Sequence, residues 1–455
     1  MTDPRLPVRA RKLLRVPKLW AIPLVLGTVV VAVMTALYIG AAVDPLAHLR
    51  GLPVGVVNLD AGVTAGSRSI DLGKQVEAGL LGSPAISSRL HLEVSTLAQA
   101  EQAMGRDDLY ATLVIPPNFT ASLLQVAGLH VPAAGTAAAP HAEILTNERA
   151  GTVGASLASG ILQPALAEAS RRIGQHLAAM VPASALTGAT RVVLANPVTV
   201  IATQYRPLPD NSALGLSAFY LALLTMLSGF LGATMVNSVV DSALGYATSE
   251  VGPRWHQRAP VPISRWQTLL IKWPVTAVLT AVMTGVILIV AVAGLGLDAP
   301  YPGILWLYMW LCAASIGIGV IVLLAIAGGY GQLLALLLFV YAGLASAGGT
   351  VPLQALPGFP RLLSYFEPLR QVLAGTRSIL YFGAAGAAGL TQGTVFAAVG
   401  LVFWLALGSA VVRWYDRKHF YRIDPDVIAY VTKSVQERRA RQAAGGEPAG
   451  GERSG

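Results

Sequence analysis

The sequence predicts a polytopic α-helical membrane protein. Six transmembrane helices are expected in a 1+5 arrangement, with an α/β extracytoplasmic domain between spans 1 and 2. Three observations predict it. Of 455 residues, 54% are hydrophobic and only 12% charged, against about 25% charged in an average soluble protein. The apolar residues collect in long uncharged runs, and a spanning helix needs about 20 such residues. One interval, Pro45–Pro209, keeps the mixed composition of a chain that folds in water. A mean hydropathy of +0.60 excludes a disordered chain. A single cysteine, Cys312, excludes a disulfide scaffold.

The elements follow in order. Residues 1–18 form a basic tail and residues 19–43 an uncharged first span. That run is longer than the 7–15 apolar residues of a signal-peptide core and lacks a small-x-small site, so an uncleaved signal anchor is expected. The domain outside covers 44–210. A five-helix permease-like domain, 211–413, has spans at about 212–240, 273–297, 302–327, 330–349 and 391–412. Two of these come from Ala299–Pro360, an uncharged stretch of 62 residues that is too long for one span. Gly328-Gly329-Tyr330-Gly331 is the expected turn between them. Residues 414–455 form a second basic tail whose end is expected to be disordered.

Lys and Arg set the orientation. The amino-terminal tail, the loop between spans 2 and 3, and the carboxy-terminal tail hold 19 of the 32 basic residues and 9 of the 23 acidic ones. These regions are assigned to the cytoplasm, with both termini inside. The remaining 13 basic and 14 acidic residues lie outside. The net charge of +9 is therefore a topology signal and not a nucleic-acid footprint. Trp20, Trp266, Trp273, Trp414 and Tyr415 fall near cytoplasmic ends of spans, and Tyr205, Tyr301 and Trp306 near outer ends, as interfacial aromatic belts do. Arginine far outnumbers lysine and Ala and Gly are abundant, a composition of high-GC bacterial chains; the expected location is the bacterial inner membrane.

In the 44–210 domain short β-like runs alternate with helical ones, which predicts an α/β layer. Strands are expected at Pro53–Asn58, His91–Ser95, Tyr110–Ile115 and His141–Leu145. Helices are expected at Ile70–Leu81, Leu97–Met104, Ala121–Val126 (capped by Asn118 or Thr120) and within Gly151–Met180. Gly128–Pro140 reads as a flexible loop.

Catalytic signatures are missing. There is no GxxxxGK[ST], HExxH, GxSxG or CxxC, and the histidines of the domain fall at no metal-ligand spacing. The chain is read as a non-enzyme without cofactor or metal. Almost no ionisable residue is expected inside a span, which argues against a proton-driven transporter.

Three constellations remain. The first is the basic loop Glu250–Lys272, with Glu250, Gly252, Arg254, Arg258, Pro260, Ser264-Arg265 and Lys272. The second is Ser346–Arg377, with Gly348, Gly349, Pro352, Leu356-Pro357, Ser364, Pro368, Gly375 and Arg377. Its prolines rule out one continuous helix, and non-helical backbone at membrane depth must line a cavity or be buried in protein. The third lies in the α/β domain: Asn58 and Asp60 after the first strand, Ile115-Pro116 and Phe119-Thr120, and Asn147.

In these three places the chain resembles YhgE/Pip-like members of the ABC type-2 permease superfamily. The resemblance implies a permease subunit that exports hydrophobic or amphiphilic cargo (a drug, lipid or envelope component) and works as a homodimer or heterodimer. It implies a separate ABC ATPase docked at Glu250–Arg265, an outer gate at Ser346–Arg377, and membrane lipids as further partners. A second reading stays open: a non-transporting scaffold or surface receptor, such as a phage-receptor-like or secretion-accessory protein.

Overall fold

A computed structural model of the protein describes residues 17–65, 68–129, 139–182, 187–251, 254–256, 258, 260–420, 422, 429–430, 433, 436–437 and 440. The first basic tail, the centre of the 128–140 loop, Gly252 and the end of the second tail lie outside these residues. The chain divides into two units, Met1–Ser217 with Tyr341–Arg370, and Ala218–Val340 with Gln371–Gly455.

The first unit opens with helix α1, Pro17–Ala42. The α/β domain follows as β1 (Leu52–Asn58), the hairpin β2 (Val63–Ala65) and β3 (Arg68–Ile70), α2 (Leu72–Leu81), β4 (Leu90–Val94), α3 (Leu97–Met104), β5 (Ala111–Ile115), α4 (Phe119–Val126), β6 (His141–Thr146), α5 (Thr152–Met180) and β7 (Thr199–Gln204). The main sheet has the order β4-β1-β5-β6-β7. Strand β1 is parallel to β4 and β5, β6 is antiparallel to β5, and β7 is parallel to β6.

Period-two alternation divides the strands between two faces. Leu52 and Val54 of β1 and Ala111, Leu113 and Ile115 of β5 join one core with α2, α4 and α5. Val57 and Val114 meet Ala100 of α3 on the other face. The chain leaves β1 through α2 to reach β4, then returns through α3 to β5. Helices on opposite faces are what right-handed crossovers in opposite directions require. The reversal places a switch point at the carboxyl ends of β1 and β5.

All eight expected helices and strands of this domain match to within two residues. Three details differ. Ile70, expected to begin a helix, pairs with Val63 of β2 instead, and α2 starts at Leu72, capped by Asp71. Asn118 occupies the N-cap position of α4 but makes no side-chain capping bond. Strand β7 and the short helix Gly188–Ala195 were not expected at all.

The second unit is helical: α6 (Ser217–Ala243), α7 (Arg265–Gly294), α8 (Pro302–Ala327), α9 (Gly329–Ser346), α10 (Pro368–Tyr381) and α11 (Leu390–Arg417). Helices α9 and α10 each carry a boundary between the units. Among the described residues, α6, α7, α8, α9 and α11 are long and apolar enough to cross a membrane. The sixth expected span is α1, 26 residues of helix whose described apolar part is Gly27–Ala42. Gly328 breaks α8 from α9 at φ +57°, a backbone angle that L side chains rarely adopt. Helix α7 starts eight residues before the expected 273, because Ser264 and Gln267 form a reciprocal capping box there.

Small residues let these helices approach. A Cβ on Gly317 of α8 would lie 2.8 Å from Thr276 Cγ2 of α7 and 3.1 Å from the Gly229 carbonyl of α6. Such contacts take the place of hydrophobic driving force between helices in lipid. Thr276, Thr280 and Thr284 of α7 are fully buried. Their hydroxyls donate to the carbonyls of Lys272, Thr276 and Thr280 at 2.8, 2.9 and 2.8 Å. The polar stripe is thus satisfied within its own helix, as burial away from water demands.

Candidate functional sites

The carboxyl ends of β1 and β5 carry the first site. In doubly wound sheets a switch point flanked by helix N-termini is where anions bind. Here the chain supplies its own anion. One oxygen of the Asp60 carboxylate accepts from Gly62 N at 3.3 Å and Thr120 N at 3.1 Å. The other accepts from Gly73 N at 3.0 Å and from the Thr120 hydroxyl. Gly73 and Thr120 stand in the first turns of α2 and α4, where backbone donors have no partner within the helix. Thr120, expected as a cap for its own helix, instead accepts from Leu72 N at 2.8 Å and bridges the two helices. Asn58 accepts from Asp60 N at 3.0 Å and donates to Glu77 at 3.0 Å.

The other residues of this motif are structural neighbours. Phe119 is buried in the main core. Pro116 is half-buried, and its carbonyl accepts from Phe119 N at 3.2 Å. Buried Asn147 donates to the carbonyls of Met104 and Leu109, both at 2.9 Å. The structure brings Asn58, Asp60 and Phe119-Thr120 together and sets Asn147 apart, at the start of β5.

The second site, Ser346–Arg377, is broken as its prolines require. Pro352 precedes a 3₁₀ turn at Leu353–Ala355, Pro357 precedes a short helix at Gly358–Leu363, and Pro368 is the first residue of α10. Each stands at a helical start, where a missing N–H costs nothing. Gly348 turns the chain at φ +72°, with half-buried Gly349 after it. The segment up to Arg370 belongs to the α/β unit. Ala355 joins that core, and Arg50 N donates to the Gln354 carbonyl at 3.0 Å. Phe359, Leu362, Tyr365 and Phe366 are exposed on it. Gly375 and Arg377 fall in the helical unit. A side chain at Gly375 would collide with the Tyr308 ring, whose hydroxyl donates to Gln371 O at 2.6 Å. Half-buried Arg377 is also held by neighbours.

Sequence reasoning missed Glu367, although an acidic residue directly before a helix-starting proline is a legible cap signal. Its side chain is buried and accepts from Leu369 N at 2.6 Å and Arg370 N at 2.8 Å. Burial pushes its carboxyl up to about 8. The folded protein then holds a proton between about pH 4.5 and 8 that the unfolded chain has released. Stability from this group is complete below that window and falls as pH rises through it. The expected result is a melting temperature that drops from pH 5 to 8.5 in the native protein. That drop should flatten in Glu367→Gln, by about 2–4 °C for each kcal/mol removed. Thermal scans of both proteins across the range check it.

The third site is the basic loop. Glu250 and Arg254 lie in a hairpin of β8 (Ser249–Val251) and β9 (Arg254–His256), and Arg258 is exposed beyond it. Arg265, expected as a docking residue, is already engaged. Its Nε donates to the Phe420 carbonyl at 2.8 Å and its guanidinium lies over Tyr415. Its backbone N–H and that of Trp266 donate to Asp416 at 3.1 and 3.0 Å. The carboxylate thereby caps α7 from the end of α11.

A charged cluster lies at the same end, at the borders of the spans expected at 212–240 and 273–297. Lys272 Nζ lies 2.7 Å from the Asp241 carboxylate and 2.7 Å from Asn237 Oδ1. Arg422 donates to both oxygens of Asp241, one at 2.7 Å. Asp241 and Lys272 are both buried. In the sequence each stood at the edge of an apolar run and read as topology charge. The ends of α6 and α7 and residue 422 are what bring them together. Among the described residues, no group of three or more His, Cys, Asp or Glu could hold a metal ion.

Comparison with known proteins adds a family. No curated protein matches the chain. Among solved structures, one match is titled "Crystal structure of a domain of a putative ABC type-2 transporter from Thermotoga maritima MSB8". It is 19% identical, covers 34% of this chain and 85% of that one, and has a TM-score of 0.22. The model of the family "Protein of unknown function (DUF3533)" matches residues 22–404. That match runs through α1, the α/β domain and most of the helical unit, so the chain belongs to the DUF3533 family.

Proposed function

We propose that the chain is an ABC type-2-like permease subunit of the YhgE/Pip kind, exporting hydrophobic or amphiphilic cargo with the energy of a separate ATPase. It would sit in the bacterial inner membrane with both termini inside and pair with a second permease chain. The observation that carries this reading is the fastened end of the bundle. Asp416 caps α7, and Asp241 holds Lys272 and Arg422. The β8–β9 hairpin and exposed Arg258 lie on the chain between α6 and α7, which this end fastens. A partner that pushes on the hairpin there meets helix ends tied to one another, so force reaches the spans rather than being absorbed by a loose loop.

On this reading exposed Arg258 would meet the partner, whereas Arg265, which is held by the Phe420 carbonyl and Tyr415, would serve the bundle. Full-length tagged protein, purified in mild detergent, is expected to bring down a stoichiometric ABC ATPase. Arg258→Glu should cut that recovery by about tenfold, the effect of reversing one interface charge, while membrane insertion stays normal. Envelope or secretion components without an ATPase, unchanged by Arg258→Glu, would instead establish the scaffold reading.

A further inference from the structure

A cleft of about 610 Å³ lies in the α/β domain between α2, the short helix Pro84–Ser87 with its cap Ser83, and the middle of α5. Its volume is that of a small-molecule site. The floor is apolar: Val76 and Leu80 of α2, Ile86, and Ile173 of α5. Its walls are kept apart by small residues, Gly79 on one side and Ala165 and Ala169 on the other. Gly79 sits in the middle of α2, where glycine costs about 1 kcal/mol relative to alanine. A Cβ there would touch nothing within 4 Å. The protein itself leaves this side of the cleft open.

One wall is amphipathic along its length. Residues 165, 169 and 173 of α5 face the cleft as an apolar row, and Glu168, Arg172 and His176 follow at the i,i+4 spacing beside it. Glu168 accepts from both Arg171 and Arg172, and these bonds hold its carboxyl below the usual range. One carboxylate between two guanidiniums leaves a positive charge in excess at the rim, and the His176 imidazole lines the cleft beside it.

We propose that this cleft binds a single-chain anionic amphiphile. Its tail lies on Leu80, Ile86 and Ile173, and its anionic headgroup meets Arg172 and His176. The proposal rests on the amphiphile-handling function above and names the place where such a molecule is received. A fatty acid and a lysophospholipid share this chemistry.

The test uses full-length protein in lipid nanodiscs and a diazirine-bearing fatty acid as the probe, with cross-linked peptides mapped by mass spectrometry. Saturable labelling is expected within residues 75–86 and 165–176. Unlabelled fatty acid or lysophosphatidic acid should compete about tenfold better than the uncharged monoacylglycerol of the same tail, as one charge-assisted contact provides. The better of the two acids identifies the source. Gly79→Phe directs a ring into the cleft from a position where a Cβ meets nothing within 4 Å, and should reduce labelling at least about fivefold, roughly 1 kcal/mol of lost binding. Gly160→Phe, elsewhere on α5 and also sterically free, should leave it unchanged. Labelling confined to the spanning helices overturns the proposal, and so does equal competition by monoacylglycerol. A second copy of the chain cross-linked at the cleft overturns it as well. Arg258→Glu should not alter labelling and Gly79→Phe should not alter ATPase recovery, so the two readings fail separately.

Discussion

Asp241→Asn is expected to destabilise the helical unit by about 3–5 kcal/mol, the cost of removing one partner from a buried ion cluster. Both oxygens of this carboxylate are used, by Lys272 and Arg422. Its loss leaves two cations facing each other with only Asn237 to accept from Lys272. Arg422→Gln should cost much less. Its side chain is 32% exposed, so water can replace it, and Lys272 still balances Asp241. The order of effect is therefore Asp241→Asn first, Lys272→Met next and Arg422→Gln last. In the double variant Asp241→Asn/Lys272→Met the stranded lysine is gone, so its loss should be smaller than the sum of the two single losses. Cys312 provides the readout: it is the chain's only cysteine and it is buried, so a thiol-reactive dye reports unfolding of this unit. An Asp241→Asn protein that melts within about 1 kcal/mol of the native one would show that the cluster is open to water.

The spans were legible because the sequence writes them in the plainest signal available, absence of charge over 20 residues or more. The break at Gly328 was legible for the related reason that glycine runs punctuate helices. Strands β1, β5 and β6 announced themselves as compact aliphatic runs. Strand β7 did not. Its residues Thr199–Gln204 are mostly exposed at the sheet edge, so no buried face imposes a hydrophobic alternation. The site residues were legible as a pattern but not in their roles. Asp60 acts on donors at 73 and 120, and Asp241 on a guanidinium 181 residues away. No local periodicity encodes such partners. Arg265 shows the same limit from the other side: basic, in a loop-like context, it reads as available, yet a capping box and Asp416 make it the first turn of a helix.

Asp60→Asn is expected to cost the α/β domain about 3 kcal/mol, from several charge-assisted hydrogen bonds lost at once. The asparagine is nearly the same size, so the effect isolates charge and donor pattern. An amide offers one accepting oxygen, and its NH₂ would point at either Gly73 N or the pair Gly62 N and Thr120 N, donor against donor. Asp60→Glu should not rescue. Gly73 already crowds the site: a Cβ there would lie 2.6 Å from the Asp60 Cβ, leaving no room for a longer arm. The damage should be local to the carboxylate's partners. Amide exchange should accelerate in the first turns of α2 and α4 and in the loop at Ala61–Gly62, while the far end of α5 keeps its protection. This pattern separates two meanings of the motif. A carboxylate that waits for a ligand can be neutralised without loosening the helices around it, often with a gain in stability. A carboxylate that stands in for the anion at a switch point cannot. Unchanged exchange in Asp60→Asn would move Asp60 from the framework to a binding role and reopen the β1–β5 crevice as a ligand site.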